Sequence, residues 1–302
     1  DPFNLGIKAK TIGTDIIYRD KIIKIETIKS NLSLKSFLKN KFAITKISIS
    51  TKTLAINDLI GFFRLLNNDP KLFIAEQFVK NGYLVADLKL EFDELGNIKN
   101  NYKFSGLVRD GKINLIKSYN LNKINFIFEI VEKNFKFSDI KLLLNNKNIL
   151  IPELTALKQN KEYSISGKLN TKKINFEKDE IKNLINSEFQ KFNIEKISFN
   201  SKNDFKFKIN KNFKIKKLNI KSTINLDELK LKNSLNLQKI FPKIKKDFIF
   251  KNQKIKLEYE KDNLNIDGSG EVFLQNKADR IYYKIIKRKD EINFNASLNI
   301  LK

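Results

Sequence analysis

The stretch that decides the fold is DFKFKINKNFKIKK, residues 204–217, in which Phe or Ile alternates with Lys, Asn or Asp. Successive side chains of a β-strand point to opposite faces of the sheet. Alternation of this kind therefore predicts strands with one apolar and one polar face. It is typical of antiparallel sheets with a solvated side rather than of parallel sheets, which are buried on both sides.

The same alternation recurs from one end of the chain to the other, with short turn signals between the runs. Further alternating runs cover residues 3–9, 124–130, 255–259 and 292–300. The turn signals, rich in Asn, Asp and Gly, lie at residues 93–97, 110–111, 145–148 and 267–270. We therefore predict a mainly β (α+β) fold: an elongated, curled antiparallel β-sheet that forms a groove, with a few short amphipathic helices.

Helical spacing of apolar residues interrupts the alternation in a few places. The predicted helices cover residues 33–39, residues 57–67, a segment from Pro70 to near Gly82, and residues 178–192. Pro70 suits the first position of a helix because its missing N–H would have no partner there. We expect the helices at 57–80 to cap one end of the sheet; a groove plug and a membrane-surface helix are the alternatives.

The residue types that are absent exclude most catalytic chemistry. The 302 residues contain neither His nor Cys, so a Ser-His-Asp triad, a Cys-His pair, a thiol redox couple and an ordinary zinc site are all ruled out. The adjacent acids Asp179 and Glu180, like Asp290 and Glu291, diverge on a helix or strand and do not make an acid–base pair. We predict no enzyme activity, no catalytic residue, no metal ligands and no cofactor.

The net charge of +25 suits a chain that lies near anionic surfaces, either phosphate backbones or lipid headgroups. Lys is spread over nearly every polar strand position, and Arg occurs at only a few. In residues 204–217 the aromatic and basic side chains alternate, which puts them on opposite faces, whereas a platform for stacked bases needs both on one face. A basic nucleic-acid-binding module is thus an alternative that the pattern disfavours, and we predict no nucleic-acid partner.

The apolar face that the alternation predicts for the sheet has two interpretations. Two sheets that bury their apolar faces against each other would make a closed β-sandwich, a structural or adhesive domain. An open, curled sheet would instead leave a trough for acyl chains, and the heavy use of Phe, with 25 residues and no Trp, favours a wide apolar lining. The candidate lipid-lining residues are Phe126, Phe128, Phe205, Phe207, Phe213, Phe248, Phe250 and Phe294.

Two stretches go beyond alternation. DIIYRDKIIKIETIKSNLSLKSFLKNKFAITKISISTKTLAI, residues 15–56, has the order strand, strand, short LKSFLKNK helix, strand. GYLVADLKLEFDELGNIKNNYKFSGLVRDGKINL, residues 82–115, follows as strand, turn, strand. Together they resemble the initial module and the repeat of the AsmA-like superfamily, the AsmA/TamB/YhdP-type repeating β-groove proteins. Beyond about residue 120 the likeness is alternation alone.

The resemblance implies a function and a location. It implies a non-catalytic groove that binds phospholipid acyl chains, conducts phospholipid between the inner and outer membranes and serves outer-membrane biogenesis. It also implies a periplasmic protein anchored to the inner membrane, with a possible outer-membrane partner. No run in the chain reaches the roughly 18 apolar residues of a membrane helix, so we expect the anchor outside this chain and the chain to be part of a larger protein.

The resemblance also suggests how the chain is organised. Residues 1–56 correspond to an AsmA-like initial β-module, and residues 57–81 to a helical insertion. Residues 82–302 continue the antiparallel groove strands, with a helix near 178–192.

Overall fold

The protein is mainly β and its strands are antiparallel, as the alternation predicts. The structure, a computed structural model, describes residues 6–19, 21–66, 70–114, 120–160, 162–184, 193–210, 212, 214–232, 244–289 and 291–300. The chain divides into two compact units, unit 1 (Asp1–Asn160) and unit 2 (Lys161–Lys302). The sequence contains no linker rich in Pro or Gly at this boundary.

Unit 1 is an antiparallel sheet with three short helices in its described part. Its strands are β1 (Gly6–Ile12), β2 (Asp15–Tyr18), β3 (Lys21–Ser33), β4 (Ile44–Thr51), β5 (Leu54–Ala55), β6 (Val79–Glu91), β7 (Lys103–Asn114), β8 (Asn120–Val131), β9 (Asn134–Leu144) and β10 (Lys147–Gln159). Its helices are α1 (Leu34–Leu38), α2 (Ile56–Leu66) and α3 (Pro70–Phe78).

Pairing in unit 1 is mostly between neighbours along the chain. Strands β1 and β2 lie in line along one edge of β3, and β4 pairs with its other edge. Strands β4 and β5 both pair with β6. From β6 to β10 each strand pairs with the next, which is the meander that short turns produce.

The helices of unit 1 begin within one residue of the predicted starts. The hydroxyl of Ser33 accepts a hydrogen bond from the backbone N–H of Ser36 at 3.2 Å and so caps α1. Helix α3 begins at Pro70 but ends at Phe78, earlier than predicted, because Val79 already pairs with Ile113 in the sheet. No helix in the described ranges is long and apolar enough to cross a membrane.

The core of unit 1 lies between α2 and the sheet. Phe62 of α2 packs with Ile23, Ile25 and Leu54, all four buried. A second buried cluster consists of Leu84, Ala86, Val108 and Phe128, with Ile56 and Leu59 of α2 packed against it. Helix α2 therefore covers part of the apolar face of this sheet.

Unit 2 is an antiparallel meander with one short helix in its described part, and its sheet is not closed. Its elements are β11 (Glu162–Glu177), α4 (Lys178–Leu184), β12 (Ile194–Asn210), β13 (Ile215–Lys232), β14 (Asp247–Glu260), β15 (Asn263–Phe273), β16 (Asp279–Arg288) and β17 (Glu291–Asn299). Each strand pairs with the next. Helix α4 covers the start of the predicted helix at 178–192, whose residues 185–192 lie outside the described residues.

Two of the four predicted turns are wrong. Residues 110–111 lie inside β7, where the register shifts by a bulge, and residues 267–270 lie inside β15. A bulge accommodates Asp110 at a φ of +52° without ending the strand. The turns are confirmed at 93–97, which lies between β6 and β7 and has Gly96 at positive φ, and at Asn145 and Asn146, which join β9 to β10 and both have positive φ.

Candidate functional site

The strand register of unit 2 gathers apolar side chains on one face. Residues directly opposite each other in an antiparallel pair lie on the same face. One row crosses four strands as Phe205, Ile220, Tyr259 and Leu264. A second row crosses three strands as Leu229, Phe250 and Val272. We call the surface that carries these rows the apolar face of unit 2.

Bulges keep the apolar face in phase where strict alternation fails. The face passes from Leu226 to Leu229 on β13 and from Gln253 to Phe250 on β14, a step of three residues in both strands. A bulge adds one residue to a strand and so restores the following residues to the same face. Neighbouring strands therefore change phase together, and the rows on either side of the bulges stay on one face.

The apolar face of unit 2 remains partly accessible. Among its described apolar residues only Ile174, Leu226 and Val272 are fully buried; the others keep some exposed surface. On the last strand Phe294 is 61% exposed. Helix α4 contacts β11 and β12, and in the described part of unit 2 no other helix packs on the sheet. Within the described residues of unit 2, no second layer seals the rows.

Five predicted lining residues fall on this face of unit 2. Phe205 and Phe207 are two residues apart on β12, and their rings stack at 6.0 Å with an angle of 28° between the planes. Phe248 and Phe250 lie on β14. Phe294 lies on β17, opposite Ile285 of β16. The structure thus brings Phe205, Phe207, Phe248, Phe250 and Phe294 to one surface. Phe213 lies outside the described residues.

The other two predicted lining residues belong to the corresponding face of unit 1. The ring of Phe128 is 5.0 Å from that of Phe104, and Phe128 is a buried member of the cluster next to α2. Phe126 is partly buried, with its ring 5.8 Å from that of Phe137. Phe128 is therefore part of the core of unit 1, whereas Phe126 keeps accessible surface on this face.

Glycines on these faces were missed as site residues. A Cβ on Gly268 would lie 2.1 Å from Cζ of Tyr283, so the tyrosine ring lies across the glycine. Burial in this position raises the pKa of the Tyr283 hydroxyl. Gly268 and Gly270 occupy positions in the alternation that Ile266 and Val272 continue on either side. A glycine at an apolar position was the sequence signal that could have identified them.

Polar side chains interrupt the apolar face of unit 2 at several positions, among them Ser201 and Asn203 on β12, Ser222 on β13 and Gln253 on β14. Gln253 is buried opposite Leu226, and its amide nitrogen donates to the carbonyl of Glu271 at 2.7 Å. Its side-chain oxygen has no hydrogen-bond partner among the described residues. The one sign of Gln253 in the sequence is a polar residue at an apolar position of an alternating strand.

The opposite faces of both units are polar and held by ion pairs between strands. Lys103 meets Glu129 at 2.5 Å in unit 1, and Lys216 meets Glu162 at 3.0 Å in unit 2. The hydrogen bond from each lysine lowers the pKa of the carboxyl group it reaches. Opposite charges at such positions favour one register over its neighbours.

A shallow cavity of about 750 Å³ lies across β13 to β17. Its lining includes Lys254, Lys256, Asp267, Tyr282 and Lys284. Lys284 is 3.9 Å from Asp267, so one of the three lysines is already partly neutralised. The lining also includes Ile255, Gly268, Tyr283 and Ala296, which lie opposite one another across β14 to β17.

The apolar faces offer hydrocarbon and aromatic contact area, so the interaction available there is burial of an apolar ligand. Within the described ranges no three His, Cys, Asp or Glu side chains come together as a metal site. Comparisons with protein-family models, with curated proteins and with solved structures find no match for the chain.

Proposed function

We propose that the chain is a non-catalytic β-groove protein that binds and conducts lipid, with acyl chains lying on the apolar faces of the two units. The observation that carries the proposal is the apolar face of unit 2, which continues from strand to strand and keeps accessible side chains. Phe250 and Phe294 on this face are the expected ligand contacts.

The energetics of lipid transfer favour such a surface. Each methylene group left in water costs about 0.8 kcal/mol, so a phospholipid with two chains faces a cost of roughly 20 kcal/mol on leaving a bilayer. A continuous apolar path lowers that cost at every step, because the chains exchange one apolar contact for the next. The polar headgroup stays in solvent.

The resemblance to the AsmA-like superfamily supplies the biological context. By that resemblance we propose a role in phospholipid transport between the inner and outer membranes and in outer-membrane biogenesis. The location would be the periplasm, with an inner-membrane anchor outside this chain and a partner at the outer membrane.

A closed sandwich core would require a second layer over the apolar rows. In the described part of unit 2 the row residues other than Val272 keep some accessible surface, and Phe294 on the same face is 61% exposed. A nucleic-acid site would require aromatic and basic side chains on one face, whereas Phe205 and Phe207 lie on the face opposite Lys206. Both alternatives are therefore less well supported than lipid binding.

The test compares two exposed aromatic residues on opposite faces of adjacent strands. Phe294 lies on the apolar face and is 61% exposed; Tyr282 lies on the polar face and is 48% exposed. We expect Phe294→Asp to reduce the phospholipid that co-purifies with the protein, measured by mass spectrometry, because a carboxylate disfavours acyl chains nearby. Tyr282→Asp introduces the same charge on the other face and should leave the bound lipid unchanged.

A second variant probes the interior of the same face. Phe205→Asp combined with Phe207→Asp should remove more lipid than Phe294→Asp, provided circular dichroism confirms that the sheet persists. The proposal fails if folded Phe294→Asp protein retains the wild-type amount of lipid, or if Tyr282→Asp protein loses as much.

A further inference from the structure

Two loops at one end of the unit 1 sheet expose large apolar side chains. Phe37 is 67% exposed, Leu38 76% and Leu95 85%. Phe37 and Leu38 belong to α1, which follows β3, and Leu95 lies in the turn after β6. We call these three residues, with the neighbouring Lys35 and Lys39, the basic tip.

Specific contacts hold the two loops together. Lys41, just after α1, forms an ion pair with Glu94 in the turn. The backbone N–H of Phe42 donates to the carbonyl of Glu94 at 3.1 Å. The ring of Phe42 packs 5.5 Å from that of Phe92 and lies against Gly96. These contacts fix the two loops against each other, so the exposed side chains are held in a defined position.

The charges around the exposed side chains are mainly positive. The pKa of Glu94 is lowered first by its hydrogen bond with Lys41 and further by the nearby charges of Lys39 and Lys35, so three lysines lie near one carboxylate. The other acid of the turn, Asp93, is engaged in its own loop, where it accepts hydrogen bonds from the backbone of Leu95 and Asn97 at 2.9 Å. Together α1, residues 39–43 and the turn at 93–97 carry Lys35, Lys39 and Lys41 against Asp93 and Glu94, a net charge of +1.

We propose that the basic tip docks unit 1 on an anionic lipid bilayer. Phe37, Leu38 and Leu95 enter the interface between headgroups and acyl chains, while Lys35 and Lys39 contact anionic headgroups. Phe37 and Leu38, flanked by Lys35 and Lys39, suit a surface that is apolar below and negative above. A protein partner would satisfy the apolar residues but gives no reason for lysines around them unless its own surface is acidic.

The tip adjoins the apolar face of unit 1. Leu32 at the end of β3 pairs with Ile44 at the start of β4, both only partly buried, and the tip lies in the connection between them. Docking there would bring this part of the face to the bilayer. That consequence rests on the proposed function, whereas docking itself involves other residues and is tested separately.

The experiment measures vesicle flotation of the full chain with two compositions, phosphatidylcholine alone and equimolar phosphatidylcholine and phosphatidylglycerol. We expect the wild-type chain to prefer the anionic vesicles. Phe37→Ser with Leu38→Ser should lower binding to anionic vesicles at least tenfold. Lys35→Gln with Lys39→Gln should lower it about fivefold for each lysine, with little change on neutral vesicles.

Matched controls carry equivalent changes away from the tip. Ile127→Ser replaces an exposed apolar residue of β8, and Lys254→Gln with Lys256→Gln removes two exposed lysines of unit 2. All controls should bind vesicles like the wild type. The docking proposal is overturned if the wild-type chain binds neither vesicle, if the Phe37/Leu38 variant binds normally, or if a control loses as much binding.

Failure of docking is distinguishable from failure of the lipid-binding function. The Phe37/Leu38 variant should keep its co-purified lipid, because neither residue lies on the apolar rows. Phe294→Asp protein should still float with anionic vesicles although its bound lipid is reduced. Loss of both properties in one variant would contradict the separation of the two sites.

Discussion

At Gly106 the sheet of unit 1 has no room for even one methyl group. A Cβ there would lie 2.2 Å from the carbonyl oxygen of Val85 and 3.1 Å from Cζ of Phe128. Since a backbone atom is in the way, the strands would have to move apart. We expect Gly106→Ala to lower the free energy of unfolding by about 1–3 kcal/mol, measured by urea denaturation.

Gly61 provides the matched control for this substitution. Its added Cβ would meet Lys21 Cε at 3.4 Å, and a lysine side chain can move away. Because Gly61 lies inside α2, alanine also favours the helix, and Gly61→Ala should be neutral or stabilising by up to about 1 kcal/mol. Equal destabilisation by both substitutions would show that the contact with Val85 is not the cause.

The sequence places Gly106 correctly but does not explain it. Alternation puts it on the same face as Phe104 and Val108, and the structure agrees. Its close approach to Val85 and Phe128 depends on two neighbouring strands and their register, which cannot be derived from the residues around Gly106. The same applies to Gly268, which alternation also places but whose contact with Tyr283 depends on β16.

At the level of elements, α2 distinguishes two adjacent phenylalanines. Phe62 is 7% exposed and packs with Ile23 and Ile25 on the sheet, whereas Phe63 is 48% exposed. Phe62→Ala should cost about 3–5 kcal/mol of unfolding free energy because it opens a cavity beneath the helix. Phe63→Ala should cost well under half as much.

Chemical denaturation of the two variants under identical conditions tests this difference. A similar loss for both would mean that α2 does not rest on the sheet through Phe62. Circular dichroism of Phe62→Ala protein should still show a β-sheet spectrum, because the sheet is held by its own strand pairing.

Turn sequences are the elements that sequence patterns predicted least well. Asp93 to Asn97 is a turn because the Asp93 carboxylate accepts backbone hydrogen bonds within the loop. Asp110-Gly111 has similar chemistry but lies within β7, because residues on both sides find partners on β6 and β8. Local preference allows a turn or a bulge at Asp110, and pairing along the neighbouring strands decides between them.

For the whole molecule, alternation predicts which residues share a face, but not what lies over that face. The five predicted phenylalanines of unit 2 are on one surface because pairing and bulges preserve the pattern. Phe128 shows the opposite outcome, since it follows the same alternation but is buried in the cluster next to α2. Whether an apolar position lines an open surface or belongs to the core depends on a helix that is distant in sequence. The alternation of a strand carries no information about where that helix packs.

The charge pattern of both units predicts a loss of stability in acid. Glu129 and Glu162 have pKa values below their ordinary 4.5, first because of hydrogen bonds from Lys103 and Lys216, respectively. A carboxyl group whose pKa is lower in the folded state stabilises the fold above its unfolded pKa, and this stabilisation is lost as the pH falls through the folded value. Protonation also removes negative charge from a chain with a net charge of +25, which increases self-repulsion.

We therefore expect the urea midpoint to stay nearly constant above pH 4.5 and to fall steadily below it. Added salt should reduce the fall, because it screens the repulsion between lysines. Glu129→Gln and Glu162→Gln remove the two titrating groups, so the double variant should be less stable at neutral pH and should lose less on acidification. A midpoint that rises from pH 4.5 downward, or that falls equally in the double variant, would mean that these ion pairs do not contribute to the acid response.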